Sequence, residues 1–325
     1  MKTRSSWLLC VLVVVTAACS QQQQLRLRPV IESEWWQVAG DPDLGEYTSS
    51  EQQPVDFGVW QAADGTWQLW SCIRHTKCGG NTRLFYRWEG SQLTDHNWEP
   101  MGIAMEADPN FGEQPGGLQA PHVIKVDGTY HMFYGDWERI CLARSKDGKN
   151  FERVLNEKKA PDLFSGPYRN TRDPMTLKSG GKYYCYYTGS LRRDSPENHK
   201  GAVFVRTSTD LLNWGEAVKV SAGGWATTQT GWVGGDCECP FVMEIDGLYY
   251  LFRNQLYGED NLNTQYCSTD PLDFGVDDDR YMVGTLPVAA PEIIEYEGQY
   301  YIAALMPSLK GIRIAKLGWE PVPEN

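Results

Sequence analysis

The feature that most constrains this chain is a five-fold internal repeat held in one register. Gly58, Pro121, Pro174, Pro240 and Pro291 each open an apolar run. Each is followed seven residues later by a glycine, namely Gly65, Gly128, Gly181, Gly247 and Gly298. An aromatic residue stands two positions beyond every one of those glycines: Trp67, Tyr130, Tyr183, Tyr249 and Tyr300. Each unit reads as strand, tight hairpin, strand, because glycine supplies the positive φ that short hairpins require. The repeat starts are 63, 53, 66 and 51 residues apart, a period that suits four-stranded propeller blades. Further strands are expected at Cys141 to Ser145, leading into Asp147–Phe151, and at Val203 to Ser208, leading into Asp210–Trp214. A β-sandwich has no reason to set a proline at a fixed distance before successive turns. The expectation is an all-β fold, a single-domain five-bladed β-propeller over residues 50–325, with 20–49 as a tether and a closing segment.

The N-terminus carries a different signal. Lys2 and Arg4 precede an apolar stretch from Trp7 to Val15, and Thr16-Ala17-Ala18 precede Cys19. This is the layout of a secretion signal over residues 1–19, too short for a membrane span. The setting of Cys19 resembles a bacterial lipobox, which implies an exported protein, periplasmic or at the cell surface, held to the membrane only by a lipid on Cys19. Seven cysteines follow, and an odd number leaves at least one thiol free in an oxidising compartment. Cys72 and Cys78 flank a turn and form the best candidate pair. There is no paired Cys-x-x-Cys motif and the five histidines are scattered, so no metal-ligand set is assigned. A net charge of −12 without a basic stripe excludes nucleic acid as a natural partner.

In a propeller the innermost strands surround a central channel, so the residues just before each repeat start are equivalent points around one pocket. They are Asp56, Gln119-Ala120, Arg172-Asp173, Glu238-Cys239 and Ala289-Ala290. Three blades present a carboxylate there: Asp56, Asp173 and Glu238. Glycoside hydrolysis needs one acid to protonate the leaving oxygen and a second carboxylate to attack or to activate water. Candidate substrate-binding residues are Arg172, Gln119, His122, Asp136, Arg74 and the sugar-stacking rings Trp60 and Trp232. Gly231 to Gly235 reads as a close-approach loop leading into Glu238. The expected partner is a carbohydrate, without a redox cofactor.

Arg172-Asp173-Pro174 and Glu238-Cys239-Pro240 resemble the Arg-Asp-Pro and Glu-Cys motifs of glycoside hydrolase family 32, and the blade plan is similar to family 43. The resemblance implies that Asp173 stabilises the transition state and Glu238 is the general acid. It also implies a structural calcium ion in the channel of some relatives, for which no ligand set is assigned here. The first blade departs from the family's Asn-Asp-Pro-Asn-Gly stretch, having Gln53-Pro54-Val55-Asp56-Phe57-Gly58, with Asp56 two residues before the repeat start. Retaining and inverting chemistry both stay open, since they differ in carboxylate separation. Two other functions fit the same fold: a glycosyl transferase or phosphorylase, which would need clustered cations, and a non-catalytic carbohydrate-binding propeller.

Overall fold

The computed structural model describes residues 25–191, 201–229 and 237–323. Five antiparallel sheets follow one another along the chain as the blades of a propeller. The innermost strands are Gln53–Gln61, Gln119–Val126, Asn170–Ser179, Glu238–Ile245 and Glu292–Tyr296. Blade 1 continues outward through Trp67–Arg74, Leu84–Gly90 and Glu99–Met105. Blade 2 has Thr129–Gly135 and Arg139–Ser145, with two short segments, Glu152–Arg153 and Asp162–Ser165, sharing its outer edge. Blades 3 and 4 are regular four-stranded sheets.

Ring closure joins the two ends of the described chain. The last strand, Gly311–Pro321, pairs on its outer side with Leu27–Ile31 and also with Trp36–Gly40. Leu27 lies opposite Pro321 and Ile31 opposite Leu317. Clasping the final blade with an N-terminal strand covers backbone donors and acceptors that would otherwise form an exposed edge. Apolar clusters fill the spaces between blades. Trp60, Trp70 and Phe151 interlock between blades 1 and 2, with ring centroids 5.3–5.8 Å apart.

The hairpins refine the repeat. Blades 2, 4 and 5 turn through Asp127-Gly128, Asp246-Gly247 and Glu297-Gly298, and blade 3 through Gly180-Gly181, with positive φ at both residues every time. These are the primed turns whose twist matches the flanking strands. Blade 1 differs, closing through Ala62–Thr66 between Gln61 and Trp67. Its start-to-glycine spacing therefore coincides with the others by length alone.

A second regularity is visible only in the structure. One residue near the start of each inner strand takes a left-handed backbone: Asp56 (φ 34°), Ala120 (46°), Asp173 (54°), Cys239 (45°) and Ala290 (46°). In blades 1 to 4 the ladder slips at the same point, leaving that residue in a bulge. Such a conformation costs a non-glycine residue about 1–2 kcal/mol. The bulge corrects the register in blade 1. Phe57, not Gly58, occupies the proline position, and Asp56 is the direct equivalent of Asp173. Gly58 is required for another reason: a Cβ there would lie 2.4 Å from the Pro121 carbonyl oxygen.

The expected Cys72–Cys78 disulfide is absent, and all seven cysteines from Cys72 to Cys267 are free thiols. Cys72 sits on a fully buried strand with its thiol toward the Leu118 carbonyl at 3.3 Å, whereas Cys78 turns toward the Arg83 carbonyl. The two side chains are engaged on different partners. The secretion signal, Cys19, Trp232 and the whole Gly231 to Gly235 loop lie outside the described residues.

Candidate active site

The bulges aim chemistry at the axis. Asp56, Asp173 and Cys239, from blades 1, 3 and 4, bring carboxylate oxygens and a thiol sulfur within 4.8 Å of one another. Below them is a narrow axial cavity walled by Phe57, Pro121, Pro174 and Pro240, with His122 and Glu292 inside it. The prolines thus have a structural role: they follow the left-handed residue and line the channel with groups that need no hydrogen-bond partner.

Arg172 and Cys239 tie the acids together. The buried Arg172 guanidinium pairs with Glu238 through Nη2 and lies 3.5 Å from Asp173 through Nε, while Nη1 donates to the Ser190 hydroxyl at 3.1 Å. Burial opposes the charge on Arg172, but the Glu238 and Asp173 carboxylates outweigh it and raise its pKa. The Arg172 backbone can enter this position because its neighbour in blade 2 is Gly135, where a Cβ would come 3.1 Å from Arg172 Cα. The Cys239 amide donates to Asp173 Oδ2 at 3.3 Å, and its thiol donates to Asp56 Oδ1 at 3.2 Å, with the Tyr257 hydroxyl 3.2 Å behind the sulfur. Burial, reinforced by the nearby carboxylates, pushes the thiol well above its ordinary pKa, so Cys239 is a protonated donor.

Asp173 is the electrostatically perturbed acid. Burial pushes its carboxyl up to about 7; Arg172 opposes the rise, and Asp56 and Glu238 add to it. A carboxyl in that range can hold or give a proton near neutral pH.

The remaining predicted residues divide. Gln119 occupies the ring position equivalent to Arg172 and Glu238; it is fully buried and neither atom of its amide has a protein partner among the described residues. His122 is not on the rim but inside the channel, with Nδ1 3.6 Å from Glu292 and Nε2 3.4 Å from the Thr176 carbonyl. Arg74 is at the acid-bearing end but is held by Gln53 Oε1 at 2.7 and 2.9 Å. Asp136 is buried and committed to its own turn, accepting from the Arg139 amide at 2.9 Å and the Arg139 guanidinium. Trp60 is brought to the wrong end. Its indole N–H donates to Gly148 at 2.8 Å, in a turn at the face opposite the acids, and its ring belongs to the core. Cys239, at a blade start, and Tyr257 join the site beyond the residues whose chemistry the sequence suggests. For Cys239 the signal was present in Glu-Cys-Pro; Tyr257 joins only through the loop after the second strand of blade 4.

A five-bladed propeller with acids from separate blades converging on its axis defines the glycoside hydrolase class. Residues 86–319 match the model described as "Glycosyl hydrolases family 32 N-terminal domain", and the chain belongs to that family. Asp173 and Glu238 lie within the matched residues, whereas Asp56 precedes them. A 1,2-beta-oligomannan phosphorylase from Thermoanaerobacter sp. is 30% identical over 151 residues, 42% of this chain. The match likewise spans 42% of that curated relative's length. Among solved structures, a thermostable family-43 glycoside hydrolase has a TM-score of 0.62 at 17% identity, covering 85% of this chain and 92% of that one. A family-43 β-xylosidase/α-arabinofuranosidase from a compost metagenome, solved with xylotriose in a calcium-free form, has a TM-score of 0.57 at 17% identity (86% and 95% covered). An endo-arabinase from Bacteroides thetaiotaomicron has a TM-score of 0.60 at 13% identity (87% and 99% covered). These structural likenesses show the fold.

The calcium-free form raises the question of calcium here. Calcium takes about six to eight oxygen ligands. The axial cluster offers two carboxylates and a protonated thiol, and Asp173 is partly neutralised by its burial. This donor set does not fit calcium, and no chemical step is drawn through one.

Proposed function

We propose that the protein hydrolyses a glycosidic bond of an extracellular oligo- or polysaccharide. Asp56 acts as nucleophile or base, Glu238 as general acid, and Asp173 stabilises the oxocarbenium-like transition state. The observation that carries this reading is the convergence of three acids from three blades, tied by Arg172 and Cys239. Gln119, whose buried amide has no protein partner among the described residues, would bind sugar hydroxyls. Removing a general acid or base costs about 10²–10⁴ in rate. A release assay over a glycan panel should therefore show Asp173→Asn and Glu238→Gln strongly impaired. Full activity in both variants on a glycan cleaved by the wild type would overturn the assignment.

A second reading exchanges two roles. The burial-raised pKa of Asp173 and the pairing of Glu238 with Arg172 favour Asp173 as proton donor and Glu238 as charge stabiliser. An aryl glycoside with a good leaving group needs no protonation. The variant of the true acid should keep activity on that substrate, and the other should not.

The phosphorylase relative makes phosphorolysis the competing reaction. That chemistry calls for cations free to hold phosphate, and the arginines on the second strands of blades 1 and 4 are engaged. Arg253 is buried on Ser221 and Gly223 at 2.8 Å and stacks on Tyr266, while Arg74 is held by Gln53. Hydrolysis without added phosphate, and no sugar phosphate formed with it, supports the proposal; a phosphate requirement overturns it. The N-terminal segment supports export with a lipid on Cys19, tested by metabolic labelling with a fatty-acid analogue that Cys19→Ser should abolish.

A further inference from the structure

We infer that the rim groove between blades 2 and 3 is a second sugar subsite, in which the Trp137 indole stacks on a neutral glycosyl unit of the chain that is cut at the axial acids. The inference rests on the carbohydrate-substrate reading and adds the requirement for a longer substrate.

The groove measures about 360 Å³ and is lined by Asn81, Gln114, Trp137, Glu138, Arg169 and Asn170. It connects with the catalytic centre through Ser190, which also lines it and accepts from Arg172. Its walls are built in advance. The turn carrying Asn81 is joined to the loop carrying Gln114 by backbone hydrogen bonds from Asn81 to Pro115 and from Arg83 to Gly116, each 2.9 Å. Gly80 and Gly116 permit that approach, since a Cβ at either would come within 2.4 Å of a carbonyl oxygen across the seam. Glu113 pins the same loop from beneath, accepting from the Tyr134 hydroxyl at 2.6 Å, the Asp108 amide at 2.7 Å and Arg153.

Trp137 is the unusual member. Its φ of 79° is a strained value for an aromatic residue, enforced by the Asp136 carboxylate gathering the next two backbone amides. The ring is not part of any core cluster. The Arg83 guanidinium lies over it at 4.7 Å, holding its orientation from one face. Among the described residues, neither its buried indole N–H nor the nearby Asn170 side-chain oxygen has a protein partner. A sugar unit answers each feature, offering an apolar ring face to the indole and hydroxyls to the two unpaired groups. Glu138 and Arg169 oppose one another in sign, so a neutral unit suits the groove better than a charged one.

The test uses the full chain and neutral xylo-, arabino-, fructo- and β-1,2-manno-oligosaccharides of increasing length. Trp137→Gly relieves the left-handed strain, so folding is retained, and Glu138→Ala alters only an exposed side chain. Both variants should erode the kcat/KM advantage of long over short substrates, Trp137→Gly by about tenfold. Equal effects on all lengths, or none, would overturn the subsite. If the wild type cleaves nothing, the hydrolytic reading fails separately, and calorimetric titration with the same sugars decides the subsite. Binding weakened about tenfold in Trp137→Gly sustains it; equal binding, or none to the wild type, rejects it.

Discussion

Asp173→Asn should make the protein more stable at neutral pH while removing most of its activity. The carboxyl is raised from 3.8 to about 7 by burial. The folded state therefore holds this proton more tightly than the unfolded chain does. Below pH about 4 the group is protonated in both states. As pH rises from there to about 7, only the unfolded chain releases the proton, and stability falls by up to about 1.4 kcal/mol per pH unit. Above about 7 the loss is complete, amounting to roughly 4 kcal/mol. Asparagine keeps an oxygen for the Cys239 amide and removes the charge. For a chain of this size, 1 kcal/mol moves the melting temperature by about 2 °C. Thermal unfolding followed by circular dichroism should place the variant several degrees above wild type at pH 8, with the gap gone at pH 4. A variant that melts below wild type at pH 8, or by the same offset at every pH, would refute the reasoning.

Gly58→Ala forces a Cβ to within 2.4 Å of the Pro121 carbonyl; chemical denaturation should show a loss of about 2–3 kcal/mol. Cys239→Ala removes the thiol that donates to Asp56 and should lower kcat/KM about tenfold, with Cys239→Ser recovering most of it, as read in a glycan release assay. Deleting the chain through Ile31 uncovers the outer edge of Gly311–Pro321, and the truncated protein should melt at least about 10 °C lower and associate through that edge in light scattering.

The blade plan was legible in the sequence because each blade is a local object. A hairpin needs its glycine and its flanking apolar residues within a few positions, so the spacing from Pro121 to Gly128 and its copies could be read along the chain. The placing of Arg172-Asp173 and Glu238-Cys239 at matching blade starts followed from the same periodicity. In blade 1 the longer Ala62–Thr66 turn sets Gly65 eight residues after Phe57, which holds the proline position, so the repeat spacing falls on Gly58 instead. Only the tertiary structure decided which polar residues work at the axis and which hold the scaffold. Trp60 and Asp136 were plausible sugar contacts by residue type, yet one packs at the far face and the other clamps a turn. Conversely, Cys239 reaches Asp56 across 183 positions of chain, and the left-handed bulges that aim both residues inward depend on the closed ring around them. Hairpins are specified by neighbours in sequence, whereas a pocket is specified by neighbours in space, and five separate strands must meet before its charges acquire their pKa values.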